Sequence, residues 1–284
     1  MARPLHQRTS MNSDSALRSL QVSLHGPVAE VKLRGPSKGN AMGPDFWAEL
    51  PEVFAELDAD EGVSAVLLYG SGGNFSYGLD LPGMEPVFRP LLESQGTDAR
   101  LRAGFRRQIK ALQDAVSSVA RCSKPVVAAV EGWCIGGGVD VITAADVRVA
   151  APGARFSIRE VRVGIVADLG SLQRLPGIIG SGATRHLALT GEDFDAARAF
   201  ELGLVTELAD DVIARGRELA AQIAANPPLV VQGVKQVLNQ GSEAAAQSGL
   251  DYVQVWNTAF LPSRDFAEAG RAFAERRPAV FTGD

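Results

Sequence analysis

Cysteine is nearly absent from this chain: Cys122 and Cys134 are the only two in 284 residues. Two cannot build a disulfide framework, and neither has the histidine or cysteine neighbours that a zinc site would need, so a reducing compartment is the simplest setting. Long hydrophobic runs are missing too, since no apolar stretch reaches the roughly eighteen residues that a membrane span requires. Nor is there a surplus of positive charge. The formal net charge is −5, with Lys and Arg scattered or paired with acids, which leaves no footprint for nucleic acid. The one basic cluster, Arg100 to Lys110, falls on the polar side of a helical pattern and reads as a solvated face. Internal repeats and low-complexity segments are absent. Residues 1–19 carry Arg3, Arg8 and Arg18 but no apolar segment, which disfavours a secretory signal and suggests a flexible tail. The chain ends Phe281-Thr282-Gly283-Asp284, without a Ser-Lys-Leu peroxisomal address, so a cytoplasmic location is expected, with an organelle matrix as the alternative.

What is present is apolar material in ordered blocks. At 46% hydrophobic and 21% charged the chain can fill a core of its own. Alternating residues at Leu20–Leu24 and Val28–Leu33 flank His25-Gly26-Pro27 and predict a hairpin. Helical spacing from Pro44 to Leu57 predicts a helix kinked at Pro51. Ala65 to Tyr69 reads as a buried strand that ends in the loop Gly70-Ser71-Gly72-Gly73. Glu85 to Asp98 has no period and contains Pro86, Pro90 and Gly96, the marks of a mobile connection over a site. Leu101 to Val119 steps by three or four residues as a long amphipathic helix. Further on, Ile178–Leu189 and Asp195–Leu202 predict helices, Val205–Leu208 a short strand, and residues 212–276 a succession of helices. Of these, Ala244–Phe260 carries Leu250, Val253, Trp256 and Phe260 on one face, to pack on this chain or on a neighbouring subunit. The pattern is an α/β core over 20–208 followed by a helical region over 209–284.

The chemistry concentrates between Val130 and Leu175. Val126-Val127-Ala128-Ala129-Val130 is a buried strand, and Gly136-Gly137-Gly138 opens a helical segment that carries Asp140. Consecutive glycines let the main chain approach a ligand, and the free N–H groups of a helix start favour developing negative charge, so the turn reads as an anion cradle. Glu160 and Asp168 follow in apolar surroundings. One anion site beside three acids suggests proton transfer next to a stabilised oxyanion. Taken singly, Asp168 reads as an N-cap and Glu160, between Arg159 and Arg162, as a surface ion pair. Asp140, inside an apolar helix, needs a partner or a function.

Asn40-Ala41-Met42, Phe75-Ser76-Tyr77-Gly78-Leu79-Asp80, Ile135-Gly136-Gly137-Gly138-Val139-Asp140 and Gln173-Arg174-Leu175 resemble, in order and spacing, the enoyl-CoA hydratase/isomerase (crotonase) family over residues 20 to 281. Within it, Asp140, Glu160-Val161 and Val166-Ala167-Asp168 are most similar to the Δ3,5-Δ2,4-dienoyl-CoA isomerase branch, with Asp251-Tyr252 and Trp256-Asn257 as further matches. The resemblance implies a spiral of ββα turns and a homotrimer or dimer of trimers assembled through the C-terminal helices. It implies an oxyanion hole made by the backbone N–H groups of Leu79 and Gly137, and no metal or redox cofactor, coenzyme A being part of the substrate. Substrate contacts would come from Lys38, Ala41, Tyr77, Gly78, Asp80 and Leu81.

Converting a 3,5-dienoyl to a 2,4-dienoyl thioester removes a proton at C2 and adds one at C6. These points are too far apart for one carboxylate, so Glu160 and Asp168 are expected to divide the work, with Asp140 tuning Glu160. Ile165, Val166, Ala167 and Leu169 should raise the pKa of Asp168 by desolvation. The alternatives are an enoyl-CoA hydratase, which resembles this chain less because such enzymes typically carry glycine at the place of Asp168, and a non-catalytic acyl-CoA-binding protein, which has no use for buried acids.

Overall fold

The computed structural model describes residues 17–35, 37–93 and 98–284, so residues 1–16 of the expected tail lie outside the described residues. Strands β1 (Leu20–His25) and β2 (Val28–Leu33) form the expected hairpin, with Leu20 opposite Leu33. Helix α1 (Pro44–Ala59) starts on a proline whose missing N–H has no intrahelical partner to lose, and it buries Phe46, Trp47, Leu50, Val53, Phe54 and Leu57. It continues through Pro51 as one helix. Strand β3 (Ala65–Gly70) follows, then α2 (Leu81–Glu93) and α3 (Ala99–Arg121), the latter capped by the Asp98 carboxylate on the N–H groups of Arg100 and Leu101.

Next come β4 (Val126–Val130), β5 (Trp133–Ile135), α4 (Gly137–Thr143), β6 (Val147–Ala150) and β7 (Arg155–Ser157). A 3-10 turn at Glu160–Val163 leads to α5 (Ser171–Ile179) and α6 (Ser181–Thr190). The order ends with β8 (Asp193–Asp195), α7 (Ala196–Glu201), β9 (Glu207–Leu208), α8 (Val212–Ala224), α9 (Pro228–Phe260) and α10 (Arg264–Glu275).

The six-stranded sheet runs β1-β2-β3-β4-β6-β9, parallel everywhere except in the first hairpin. A smaller sheet holds β5, β7 and β8. Each turn of the chain lays one strand in the large sheet, one extended segment beside the small one, and then a helix. Thus β4 leads to β5 and α4, and β6 to β7 and α5. Isolated parallel bridges extend the same pattern backwards, Ser76 with Cys134 and Met42 with Leu79. Because every turn advances one place in the sheet, the loops at the strand ends stack over one another, and the glycine turns after Tyr77 and Ile135 become neighbours.

Parallel strands covered on both faces must be apolar throughout, which is why β3 and β4 read AVLLYG and VVAAV. One face packs on α1 and α3, the other on α8. At Gly216 a Cβ would lie 2.7 Å from the Leu67 side chain, so the glycine sets how closely α8 approaches the sheet.

Three expectations change. The connection from Glu85 onward is helix α2 as far as Glu93, although Pro86 and Pro90 lie inside it. With Pro82 they recur every four residues, so the missing N–H groups stack along one side, while Met84, Val87 and Phe88 pack inward. Residues 94–97 of that connection lie outside the described residues. The single helix expected over Ile178–Leu189 is two, because Gly180 adopts φ +81° and ends α5 before α6 begins. The basic stretch of α3 is not simply solvated. Arg102 donates to the last-turn carbonyls of Thr258 and Ala259 in α9, and Arg106 to the Gln254 side chain, so these cations tie two helices together.

Candidate active site

The stacked loops enclose a cavity of about 860 Å³. One wall is made by two glycine turns held face to face. In the bridge between Met42 and Leu79, the Gly78 carbonyl accepts from Met42 N–H at 2.7 Å and the Asp80 N–H donates to the Met42 carbonyl at 3.1 Å. Strand alternation therefore turns the Leu79 N–H the other way. The N–H of Gly137, in the first turn of α4, has no intrahelical acceptor. Neither donates a hydrogen bond to another of the described residues, and both residues line the cavity. Gly78 has φ +82°, and a Cβ there would sit 2.7 Å from the Ile135 carbonyl oxygen and 3.3 Å from the Gly137 nitrogen. Glycine is thus required for the two turns to meet, and two free amides end side by side, poised for an oxyanion.

Asn40 fixes the outer turn from behind. It is buried, holds φ +53°, and its Nδ2 donates to the carbonyls of Ser71, Asn74 and Phe75 at 2.9, 2.8 and 3.2 Å. Its own carbonyl accepts from Ser76 Oγ, which in turn accepts from the Gly78 N–H.

The three acids line the same cavity. Asp140 is fully buried in α4, where its Oδ1 accepts the Ser171 N–H at 2.6 Å. Burial raises its pKa, and that hydrogen bond and the charge of Arg174 oppose the rise. Glu160 adjoins the cradle: a Cβ on Gly136 would be 3.2 Å from its Oε1, and its Oε2 is buried with no hydrogen-bond partner among the described residues. Burial, then the negative charges of Asp140 and Asp168, hold its carboxyl well above the usual range. Asp168 is pushed up to about 7 by burial, partly offset by a hydrogen bond from Asn257. As whole residues Glu160 and Asp168 are half-buried and line the cavity, so a ligand that displaces its water completes their burial. Three like charges in so small a volume cannot all form near neutrality, and the cluster must hold at least one proton.

Neither simple reading of the acids survives. Asp168 does not cap α5, whose N-cap is Gly170, and Glu160 makes no ion pair among the described residues, Arg159 turning to Asp193 instead. The structure brings the predicted site residues to one cavity: Leu79, Gly137, Asp140, Glu160 and Asp168, with Lys38, Ala41, Tyr77, Gly78, Asp80 and Leu81 nearer the loops. The Asp80 carboxylate is already engaged by Ser37 Oγ at 2.6 Å and by the Gly83 N–H, so it braces the start of α2. No set of three metal-ligating side chains converges among the described residues.

Residue-by-residue reading gave no role to the apolar wall of Phe88, Phe105, Ile109, Leu112 and Leu261, nor to Trp133 and Arg159. Those are ordinary core or surface residues until the topology gathers them. Asn257 did leave a signal: an amide on the inner face of α9 in line with buried Leu250 and Val253.

This geometry has close parallels. The sequence model of a family described as enoyl-CoA hydratase/isomerase matches residues 24–284. This chain belongs to that family. Among relatives of the enoyl-CoA hydratase/isomerase family, the mitochondrial Delta(3,5)-Delta(2,4)-dienoyl-CoA isomerase of Dictyostelium discoideum is 39% identical over 89% of this chain and 87% of its own length. The peroxisomal Delta(3,5)-Delta(2,4)-dienoyl-CoA isomerase of Arabidopsis thaliana is also 39% identical, over 95% of this chain and 98% of its own. A solved enoyl-CoA hydratase/isomerase from Mycobacterium paratuberculosis, 30% identical, superposes with a TM-score of 0.79 over 90% of this chain and 98% of that one. The family fold, an α/β spiral with a helical C-terminal region, is therefore this chain's fold.

Proposed function

We propose that this chain isomerises 3,5-dienoyl-CoA to 2,4-dienoyl-CoA in the degradation of unsaturated fatty acids. The observation that carries the reading is the pairing of two free amides with two separately held, high-pKa acids in one apolar cavity; the names of the relatives agree with it. The thioester oxygen accepts from the N–H groups of Leu79 and Gly137. Glu160, beside the cradle and hence beside C2, takes a C2 proton, and the electron pair moves onto the held oxygen as an extended dienolate. Asp168, deeper along the chain, delivers its proton to C6. The C2–C3 and C4–C5 double bonds form as the C3–C4 and C5–C6 double bonds shift, and no electron leaves the substrate, so no redox cofactor enters the balance. Two preorganised donors supply several kcal/mol of stabilisation to the dienolate. Asp140 stays in place on the Ser171 amide and, by its charge, favours the protonated form of Glu160. A hydratase would instead need both acids around one water at C2 and C3. We further propose that the spiral of residues 20–208 and the helices of 209–284 work as a homotrimer or dimer of trimers, near the acyl-CoA pool of cytosol or organelle matrix.

The test supplies 3,5-octadienoyl-CoA and 2-octenoyl-CoA separately. Isomerisation creates a longer conjugated chromophore whereas hydration removes one. The expected outcome is new absorbance with the diene, reduced by about 10³-fold or more in Asp168→Asn. Hydration of the monoene at full rate by both proteins would overturn the proposal.

A further inference from the structure

The acid assigned to C6 is held by residues far from it in sequence. Asp168 lies in the loop before α5, and its Oδ2 accepts from Asn257 Nδ2 of α9 at 2.7 Å. The same nitrogen donates to the Val166 carbonyl at 2.8 Å. A main-chain carbonyl only accepts, so the amide of Asn257 has one possible orientation, and both of its hydrogens are used. Gln113 of α3 repeats the device: its Nε2 donates to the Asp168 carbonyl at 2.8 Å and to the Leu250 carbonyl of α9 at 3.1 Å. Asn257 and Gln113 are both buried. The loop is therefore pinned on both sides by neutral amides whose orientation cannot reverse.

We infer that Asn257 is a positioning residue for the isomerisation: it occupies Oδ2 of Asp168 in every state, leaving Oδ1 as the atom that carries and delivers the proton. In a carboxylic acid the carbonyl oxygen is the better acceptor, and in a carboxylate both oxygens accept. The Asn257 bond thus persists before and after transfer, and only Oδ1 changes partner. No side chain need reorient between the two states, which is the preorganisation an acid needs at the far end of a dienolate. The inference rests on the isomerase reading for its chemistry but not for its geometry.

The charged groups around Asp168 are few. Asp140 of α4 and Glu160 of the 3-10 turn act on it across the cavity, and Lys38, Asp80 and Arg159 line the same cavity. From α3 and α9 only the two amides reach it; Asp114 pairs with Lys110 and Arg121, and Asp251 accepts from Gln247 at the surface. Removing the Asn257 donor therefore removes the larger of two opposing influences, and burial and like charge are then countered by a main-chain hydrogen bond alone.

The experiment is an infrared titration of the Asp168 carboxyl, assigned as the C=O band missing in Asp168→Asn, compared in wild type and Asn257→Leu. The expected result is a midpoint higher by about one pH unit in Asn257→Leu, with the band at higher frequency because its hydrogen bond is gone. Asn257→Ser, which keeps a shorter donor and removes bulk, is expected to fall between, and serves if the leucine variant does not fold. In the isomerase assay the alkaline limb of kcat/KM moves up by the same amount, since Asp168 stays protonated to higher pH, while KM changes less than about threefold. Unmoved midpoints in the folded variants overturn the inference. A wild type that never isomerises dienoyl-CoA overturns the isomerase reading instead, and the infrared arm still decides the role of Asn257.

Discussion

Gly78 and Leu79 are neighbours in sequence, yet one matters for the side chain it lacks and the other for its main chain alone. At Gly78 the backbone is left-handed and a Cβ would meet a carbonyl that cannot yield. Gly78→Ala is therefore expected to part the two amides and lower kcat/KM by more than about 100-fold. Leu79→Ala, which keeps the N–H and shortens a side chain, is expected to cost less than about threefold; steady-state kinetics on dienoyl-CoA separates the two. The acids give a second test at this scale. Their pKa values in the folded protein lie above the ordinary value of about 4, in the case of Asp168 at about 7. Below about pH 4 they are protonated whether the chain is folded or not, and their contribution to stability is complete. Between about pH 4 and 7 the unfolded chain releases those protons first, so stability falls as pH rises. Thermal melts across that window should show the decline, at roughly 1.4 kcal/mol per group for each pH unit by which the folded value exceeds the unfolded one, and Glu160→Gln should flatten it. A slope unchanged in Glu160→Gln would mean that Glu160 ionises freely.

Among the elements, α2 stands apart. Pro86 and Pro90 remove two helical N–H donors beneath the lining of the cavity, and its inner anchors are Met84, Val87 and Phe88, the last edge-on to Phe105 and Phe266. Amide hydrogens of α2 should exchange at least about tenfold faster than those of α3, and an acyl-CoA bound in the cavity should slow them; equal protection in the free protein would contradict this. The same helix marks where sequence and structure part. Alternation beside a turn was enough for β1 and β2, an unbroken apolar run for β3 and β4, and helical spacing for α1 and α3, because each of these signals lies within the element itself. Helix α2 does carry Met84, Val87 and Phe88 at helical spacing, but Pro86 and Pro90 in the same stretch read as breakers, and its place is fixed by contacts with α3 and α10. The break at Gly180 is a single left-handed residue inside an otherwise helical pattern. At the site, the glycine turns were legible because a tight approach demands glycine locally. The isolation of Glu160 from its flanking arginines was not, since it depends on Asp193 capturing Arg159.

For the molecule as a whole, the outer face of α9 is unfinished. Val230, Val234, Val237 and Leu238 recur at i, i+4, i+7 and i+8 and are 62, 55, 73 and 70% exposed. Of the stripe further along, Leu250 and Val253 are buried in this chain, whereas Trp256 and Phe260 remain open. An apolar helix face of this extent calls for cover. Light scattering is expected to give three or six times the chain mass, and Val234→Glu with Leu238→Glu to lower it; a monodisperse monomer would rule out the proposed assembly. Asn257 lies 89 residues after Asp168, and that distance has a consequence during synthesis. As the polypeptide leaves the ribosome, the segments that form the cradle of Leu79 and Gly137 are out once Ser157, whose carbonyl accepts from Gly136, has emerged, whereas the grip on the second acid waits for residue 257. A product broken off between those two points would contain the residues of the thioester seat but not the amide that governs the second acid, so the full set of parts is present only late in synthesis.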